Sequence, residues 1–325
     1  MKSNTLRHKR VLITGASGFI GSHLTKRLLA ERSEVHVFVK KDEDLFRIRG
    51  VADDIALWYG DLTNSRSVRQ CIRNSKPEII FHLASLRNTN RDLGLLVRMF
   101  DTNVKGLITL LQSIDDEGIE LERFINTGTC EEYGDGPVPF NEDQKEVPVS
   151  PYSASKVAAT YLCQMTHKIA GLPIVTVRPF LTFGPFQDID MFIPSLIYHC
   201  LVQKDFPMTG GDQTREFNYI DDIVEGYMRA SVCSDVIGEI INLGNGNEYK
   251  VKDVAEKIVN ISGASIRLLM GCLPKRPGET SHFYCSNMKA KMLLDWEPKV
   301  TLDDGLSKTI DWFEHNLSLY HSVSS

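Results

Sequence analysis

The chain is 325 residues long, with 42% hydrophobic and 24% charged residues, the profile of an ordinary globular protein large enough for two lobes around a shared core. Its net charge of −5 includes no basic block, which argues against nucleic acid or an anionic membrane as the main partner and points to small molecules. Seven cysteines, at 71, 130, 163, 200, 233, 272 and 285, are odd in number and never form a C-x-x-C pair, so neither a disulfide framework nor a metal site is signalled.

The opening MKSNTLRHKR runs directly into VLITG without the longer apolar stretch of a signal peptide, and no apolar segment reaches membrane length. A cytoplasmic protein with reduced thiols is the expectation. The run RVLIT predicts a first strand, followed by a helix from Phe19 to about Ala30. EVHVFV and IALWY predict two more strands, a helix follows near Ser65 to Arg73, and EIIFHLA predicts a fourth strand. The alternation continues with a helix over Leu107 to Ile114, the strand RFINTG, a helix over Tyr152 to Lys168 and the strand PIVTVR. Strands alternating with amphipathic helices predict an α/β fold, a Rossmann-type doubly wound parallel sheet. Past Pro179 the pattern is broken by GPFQD, GGDQ, LPKRPGE and EPKV, so a smaller C-terminal lobe is expected to begin there. The expected division is 1–180 and 181–325, with a segment near 217–245 returning to the first part.

Two local patterns carry chemistry. GASGFIG, Gly15 to Gly21, joins the first strand to the first helix. Glycines there let the backbone turn tightly and approach a pyrophosphate, whose charge meets free N–H groups at the helix N-terminus. The spacing G-x-x-G-x-x-G has one more residue in its turn than the standard dinucleotide fingerprint. In PYSASK, Tyr152 and Lys156 lie one helical turn apart, where an ammonium group can pull a phenol toward the range in which it removes a proton at neutral pH.

TGASGFIG, YGDL, FHLA, NVKG, GTCEEYG and the Tyr152/Lys156 pair, in that order, resemble the extended short-chain dehydrogenase/reductase family, mostly nucleotide-sugar epimerases, dehydratases and reductases. The likeness continues through Arg178-Pro179, GDQTREFNYIDD, INLGNG, Arg276-Pro277-Gly278-Glu279 and the ending WEPKVTLDDGLSKTIDWF, covering nearly the whole chain. It implies NAD or NADP as a bound cofactor, contacted by Gly15, Ser17, Gly18, Phe19, Ile20, Gly21, Lys40, Asp61, Leu62, Leu83, Ala84, Asn103, Tyr152 and Lys156. It also implies a nucleotide-diphosphate sugar as substrate, with Arg215 and Arg276 on the diphosphate in a C-terminal substrate-binding lobe, and a homodimer built on helices matching Leu95 to Ile114 and Tyr152 to Lys168.

By the same resemblance Tyr152 is the base for a sugar hydroxyl, Lys156 holds the cofactor ribose and lowers the tyrosine pKa, and Thr129 positions the hydroxyl. Asp61 faces the adenine. GTCEEYG resembles the strand end at which 4,6-dehydratases carry Thr-Asp-Glu or Thr-Ser-Glu, which makes Glu131 the C5 base and puts Cys130 where an acid is usual. The activity implied is transient hydride transfer from the sugar to the nicotinamide, with dehydration first among the readings. A 4-epimerase, an NADPH-dependent 4-keto-sugar reductase and a non-catalytic NAD(P)-binding sensor are the alternatives. Two departures stand out: Leu181 replaces a diphosphate-binding asparagine in RPFLTFGP, and the second strand ends in Val39-Lys40-Lys41, where NAD-preferring members carry an acid. The lysines tilt toward NADP, and Asp42 and Asp44 lie close by.

Overall fold

In the computed structural model, residues 5–275 and 280–323 are described. Seven strands form one all-parallel sheet: β1 (Arg10–Thr14), β2 (Glu34–Val39), β3 (Ala56–Tyr59), β4 (Ile79–His82), β5 (Arg123–Thr127), β6 (Ile174–Pro179) and a last strand, Ile240–Leu243. Their order across the sheet is Ile240–Leu243, β6, β5, β4, β1, β2, β3. The chain reverses direction of travel between β1 and β4, and in such sheets the crevice at that switch point, outside the carboxyl ends of the strands, binds ligands.

Both faces of the sheet are covered, which is why its central strands read as continuous apolar runs. From β1, Leu12 packs on one face with Val68 and Ile72 of helix α2 (Ser65–Ser75) and with Leu107 and Leu110 further along. Val11 and Ile13 point to the other face, among Leu24 and Leu28 of helix α1 (Phe19–Ala30) and Ile223 and Tyr227 of the helix Ile220–Val232. That second core runs on without a break into the C-terminal elements, through Leu196, Ile258, Leu306 and Phe313.

Helix ends follow local chemistry. The Asn64 side chain caps α2 by accepting from the backbone N–H of Arg66 and Ser67, and Lys76 ends it with φ 41°. A short helix α3 (Leu96–Met99) passes through a π-helical turn, Phe100–Lys105, into α4 (Gly106–Asp116). The extra residue in that turn shifts the helical phase. As a result Met99, Leu107, Leu110, Leu111 and Ile114 are buried within the chain, while Leu93, Leu96, Val97 and Phe100 stay exposed. Helix α5 (Pro151–Ala170) starts on Ser150, whose hydroxyl accepts from the Ser153 N–H, and stops at Gly171 with φ 68°. Its outer face exposes Tyr161, Met165 and Ile169. Among the described residues no helix is long and apolar enough to cross a membrane.

Candidate functional site at the carboxyl edge of the sheet

Parallel register puts the strand ends level with one another: Thr14 pairs with Phe38 and His82, His82 with Asn126, and Thr127 with Val177. The loops leaving β1, β2, β3, β4 and β5 therefore share one edge, and they carry Gly15–Gly21, Lys40, Asp61, Leu83–Ala84 and Thr129–Glu131.

The glycine turn is shaped by close approach. Gly15 has φ +78°, and a Cβ there would meet the Ala84 N–H nitrogen at 2.6 Å, so only glycine fits against the end of β4. Helix α1 begins at Gly18 with no side-chain cap, which leaves its first N–H groups to be met by something else. Phe19 and Ile20 are half-buried in that first turn, and Phe19 packs beside His23. Ser17 is buried, its hydroxyl donating to the Glu43 carboxylate and its carbonyl accepting from the Arg47 guanidinium at 3.3 Å.

Further along the edge, Asp61 accepts from the Thr63 N–H at 2.8 Å and the Thr63 hydroxyl at 2.7 Å. Those bonds, with Lys40 behind them, hold its carboxyl below the usual range. Lys40 is exposed, and its ammonium lies 3.4 Å from Asp61. Leu62 is buried against the face carrying α2 and α4. Leu83 and Ala84 are half-buried, their N–H groups donating to the Thr14 carbonyl at 3.0 Å and the Thr14 hydroxyl at 3.4 Å. Asn103 lies behind the loop after β4 and is buried. Its carboxamide is taken up inside the protein, accepting from the Leu86 N–H at 2.7 Å and donating to the Leu86 carbonyl and the Ser155 hydroxyl. It braces the loop after β4 against α5.

GTCEEYG resolves into two carboxylates with different work. The segment makes a one-turn 3-10 helix, Cys130–Glu132, capped by the Thr129 hydroxyl, which accepts from the Glu131 N–H at 3.3 Å. Glu132 is fully buried: one oxygen accepts from the Thr129 N–H at 2.8 Å, the other from Arg178 at 2.7 and 3.0 Å and from Thr160 at 2.9 Å. Arg178 also pairs with Glu146 at 2.6 Å. This network clamps the turn from beneath. Glu131, half-buried, remains at the edge, close enough to raise the pKa of both Cys130 and Tyr152. The Cys130 thiol is buried with Tyr133, Phe140, Phe180, Phe283 and Cys285. Burial first, then the charges of Glu131 and Glu216, push it well above a free thiol, so it keeps its proton at neutral pH.

Tyr152 and Lys156 both sit in the first turns of α5 and are buried. Burial pushes the phenol up, and the offsets come from a hydrogen bond with Thr129 and the charge of Arg87. The Lys156 ammonium, itself lowered by burial, donates to the Thr127 carbonyl. Desolvation of the phenolate outweighs a cation already engaged elsewhere. Thr127 is further held by the Tyr227 hydroxyl, which donates to its Oγ1 at 3.0 Å.

Arg215 donates to the carbonyls of Thr214 at 2.7 Å and Thr280 at 3.0 Å. Its neighbour Glu216 is fully buried, accepting from the Cys285 N–H at 2.8 Å and from the Asn245 N–H. That ties this segment to the loop beyond Ile240–Leu243. Arg276 lies outside the described residues. Sequence reasoning missed Arg87, Glu43 and the Glu132–Arg178–Glu146 network. An arginine three residues past FHLA was the available signal for the first; the others depend on contacts remote in sequence.

The family described as GDP-mannose 4,6 dehydratase matches residues 12–309. Among relatives, the chain is 28% identical over its full length to a trifunctional UDP-glucose 4,6-dehydratase/UDP-4-keto-6-deoxy-D-glucose 3,5-epimerase/UDP-4-keto-L-rhamnose-reductase of Arabidopsis thaliana, of whose length it spans half. It is 29% identical to a UDP-glucuronate 4-epimerase of Thermodesulfobacterium geofontis, covering 96% of this chain and 98% of that protein. A dTDP-glucose 4,6-dehydratase of Streptomyces venezuelae, solved with NAD bound, superposes with a TM-score of 0.87 at 26% identity, over 97% of this chain and 99% of that one. The match over residues 12–309 shows that the chain belongs to the GDP-mannose 4,6 dehydratase family, within the extended short-chain dehydrogenase/reductases.

Proposed function

We propose that the chain is an enzyme that modifies the sugar of a nucleotide-diphosphate sugar with a bound NAD(P), and that its reaction is a dehydration. The glycine turn fits such a cofactor: it leaves the N-terminus of α1 uncapped and has no room for a Cβ at Gly15. Gly15–Gly21 would hold the pyrophosphate, Asp61 the adenine side, and Lys156 the nicotinamide ribose. When bound, the nicotinamide supplies reversible oxidation of a sugar carbon by hydride exchange, which makes the adjacent C–H acidic.

The observation that carries the reading is geometric: Thr129, Cys130 and Glu131 share one capped turn at the end of β5, packed on the helix α5 that carries Tyr152 and Lys156. In this reading Thr129 and Tyr152 grip the same sugar hydroxyl, and Tyr152 would take its proton once the positive charge of a bound oxidised nicotinamide offsets the burial that raises the phenol. Glu131, the carboxylate at the edge, removes the acidified C5 proton. Cys130 keeps its proton at neutral pH and donates it to the departing C6 hydroxyl, which leaves as water. Glu131 then returns its proton to C5 as the neighbouring carbon regains the hydride, and the thiolate is restored by the proton that Tyr152 took, so that only water is lost overall. Arg215 and Arg276 would take the diphosphate from the C-terminal part, 181–325, with 217–245 returning to the sheet.

A 4-epimerase is the second reading. Cys130 lies among aromatic rings, and a thiolate formed there is costly, whereas Thr129, Tyr152 and Lys156 suffice for epimerisation. A homodimer is supported by exposed apolar residues on both stretches expected to form its interface, Leu96, Val97 and Phe100 on the first and Tyr161, Met165 and Ile169 on the second. A reducing cytoplasm is supported by the described cysteines, all free.

The test is incubation of the purified protein with UDP-, GDP-, CDP- and dTDP-sugars and NAD(P), followed by product masses. Loss of water is expected. An isobaric product supports the epimerase, turnover only of keto-sugars with added NADPH a reductase, and no turnover of any nucleotide sugar overturns the proposal.

A further inference from the structure

In dinucleotide-binding α/β folds an acid just beyond the second strand accepts the adenosine ribose 2′-OH, while a basic residue there accommodates a 2′-phosphate. The residues directly after β2 are Lys40 and Lys41, the basic pattern. The folded chain arranges that place differently. A turn closed by the Glu43 N–H donating to the Lys40 carbonyl at 3.3 Å brings the Glu43 side chain back toward the strand end. One carboxylate oxygen accepts from the Lys40 N–H at 3.0 Å, and the other from the Ser17 hydroxyl of the glycine turn. Meanwhile the Lys40 ammonium is turned to Asp61, 3.4 Å away.

The excursion is pinned a second time. Arg47 donates to the Ser17 carbonyl at 3.3 Å and to the Phe186 carbonyl at 2.8 Å, and pairs with Asp188. Its side chain is only 11% exposed. Glu43 is thus fastened on one side to the strand end and on the other to the glycine turn. An acceptor held between those two elements stands on the side where, in dinucleotide-binding folds, the adenosine ribose lies when the pyrophosphate rests on the glycine turn.

We infer that Glu43 is the residue that selects NAD over NADP: its carboxylate accepts from the ribose 2′-OH and repels a 2′-phosphate. The inference rests on the reading that the glycine turn holds a nicotinamide dinucleotide. It reverses the preference that Lys40 and Lys41 imply in the linear sequence. Glu43 is not next to the strand, and a turn rather than its position in the chain delivers the charge.

The test is equilibrium binding, with no turnover involved. The full chain is stripped of nucleotide, then titrated calorimetrically with NAD and with NADP, as wild type, Glu43→Gln and Glu43→Ala. Like-charge juxtaposition in a binding site is worth roughly 10²-fold in affinity. The wild type should therefore bind NAD about 10²-fold more tightly than NADP, and both variants should narrow that ratio at least ~10-fold, chiefly by tightening NADP. Glu43→Gln keeps the size of the side chain, with one oxygen to accept from the Lys40 N–H and an amide that can donate to the Ser17 hydroxyl, so it remains informative should Glu43→Ala fold poorly. Equal or tighter NADP binding by the wild type, or an unchanged ratio in folded Glu43→Gln, overturns the inference alone. Failure of both dinucleotides to bind the wild type overturns the dinucleotide reading and this inference with it.

Discussion

Removing the guanidinium of Arg178 should be among the most damaging single changes available outside the proposed reacting groups. Arg178 and Glu132 have side chains 0% exposed, and Glu146 is 8% exposed. Arg178→Met leaves two carboxylates in that environment with no cation beside them. Glu132 keeps its bonds from Thr129 and Thr160, and Glu146 keeps the Tyr161 hydroxyl at 2.9 Å, so part of the solvation survives. Breaking a buried pair by deleting one partner costs about 3–5 kcal/mol. That is a large share of the ~5–15 kcal/mol that holds a typical domain folded. The charge origin has its own signature in pH. Against the pull of burial, Arg178 holds the Glu146 carboxyl below its usual range, so without it that pKa rises, the folded variant binds protons more tightly and its deficit shrinks as pH falls from 7 toward 5. Urea unfolding at the two pH values, compared at constant m, reads both effects. A loss under ~1 kcal/mol, or one of the same size at both pH values, would refute the reasoning. Glu132→Gln combined with Arg178→Met should recover part of the loss, because it removes one of the stranded charges.

Three further outcomes follow from the same contacts. His82 is buried, its Nδ1 2.8 Å from the Thr14 hydroxyl, and burial lowers its pKa to about 3. The unfolded chain therefore binds a proton near pH 6.5 that the folded chain refuses, and stability falls as pH drops; His82→Gln should flatten that slope by about 1.4 kcal/mol per pH unit between roughly pH 6 and 4 in urea titrations. Val97 is 74% exposed on the face assigned to a second copy, so Val97→Glu should yield a monomer by light scattering, and a wild-type monomer at micromolar concentration would remove that interface. Tyr152→Phe should abolish turnover, while Cys130→Ser should slow loss of water ~10²-fold, the lower range for losing a general acid; an unchanged rate in Cys130→Ser would leave the thiol as packing only.

Much of the sheet was legible because parallel strands buried on both faces are apolar without interruption. RVLIT and EVHVFV became β1 and β2 at the expected residues, and the helix over Phe19 to Ala30 ends where its pattern does. Ile240–Leu243 was harder, since four residues pairing with β6 carry little local signal. The helical stretch from Leu95 to Ile114 misled in detail. Its π-turn changes the phase, so the apolar surplus divides into a buried set and a smaller exposed set that counting could not separate. At the candidate site, adjacent glutamates look alike in sequence. Only the remote Arg178 and Thr160 distinguish Glu132 as a clamp from Glu131 at the edge. The surroundings of Tyr152 were hidden for a related reason: helical spacing shows that Lys156 is near, but not that its ammonium donates to the Thr127 carbonyl or how deeply the phenol is buried. Glu43 was invisible because a turn returns it to a strand end already occupied in sequence by lysines.

The most direct measurement of the central claim is mass spectrometry of the nucleotide sugar recovered after turnover in D2O. If Glu131 removes a carbon-bound proton and water is then lost, the product is lighter by one water and carries one non-exchangeable deuterium at carbon, and Glu131→Gln forms neither. A product of unchanged mass without carbon-bound deuterium, or full dehydration by Glu131→Gln, would contradict the account.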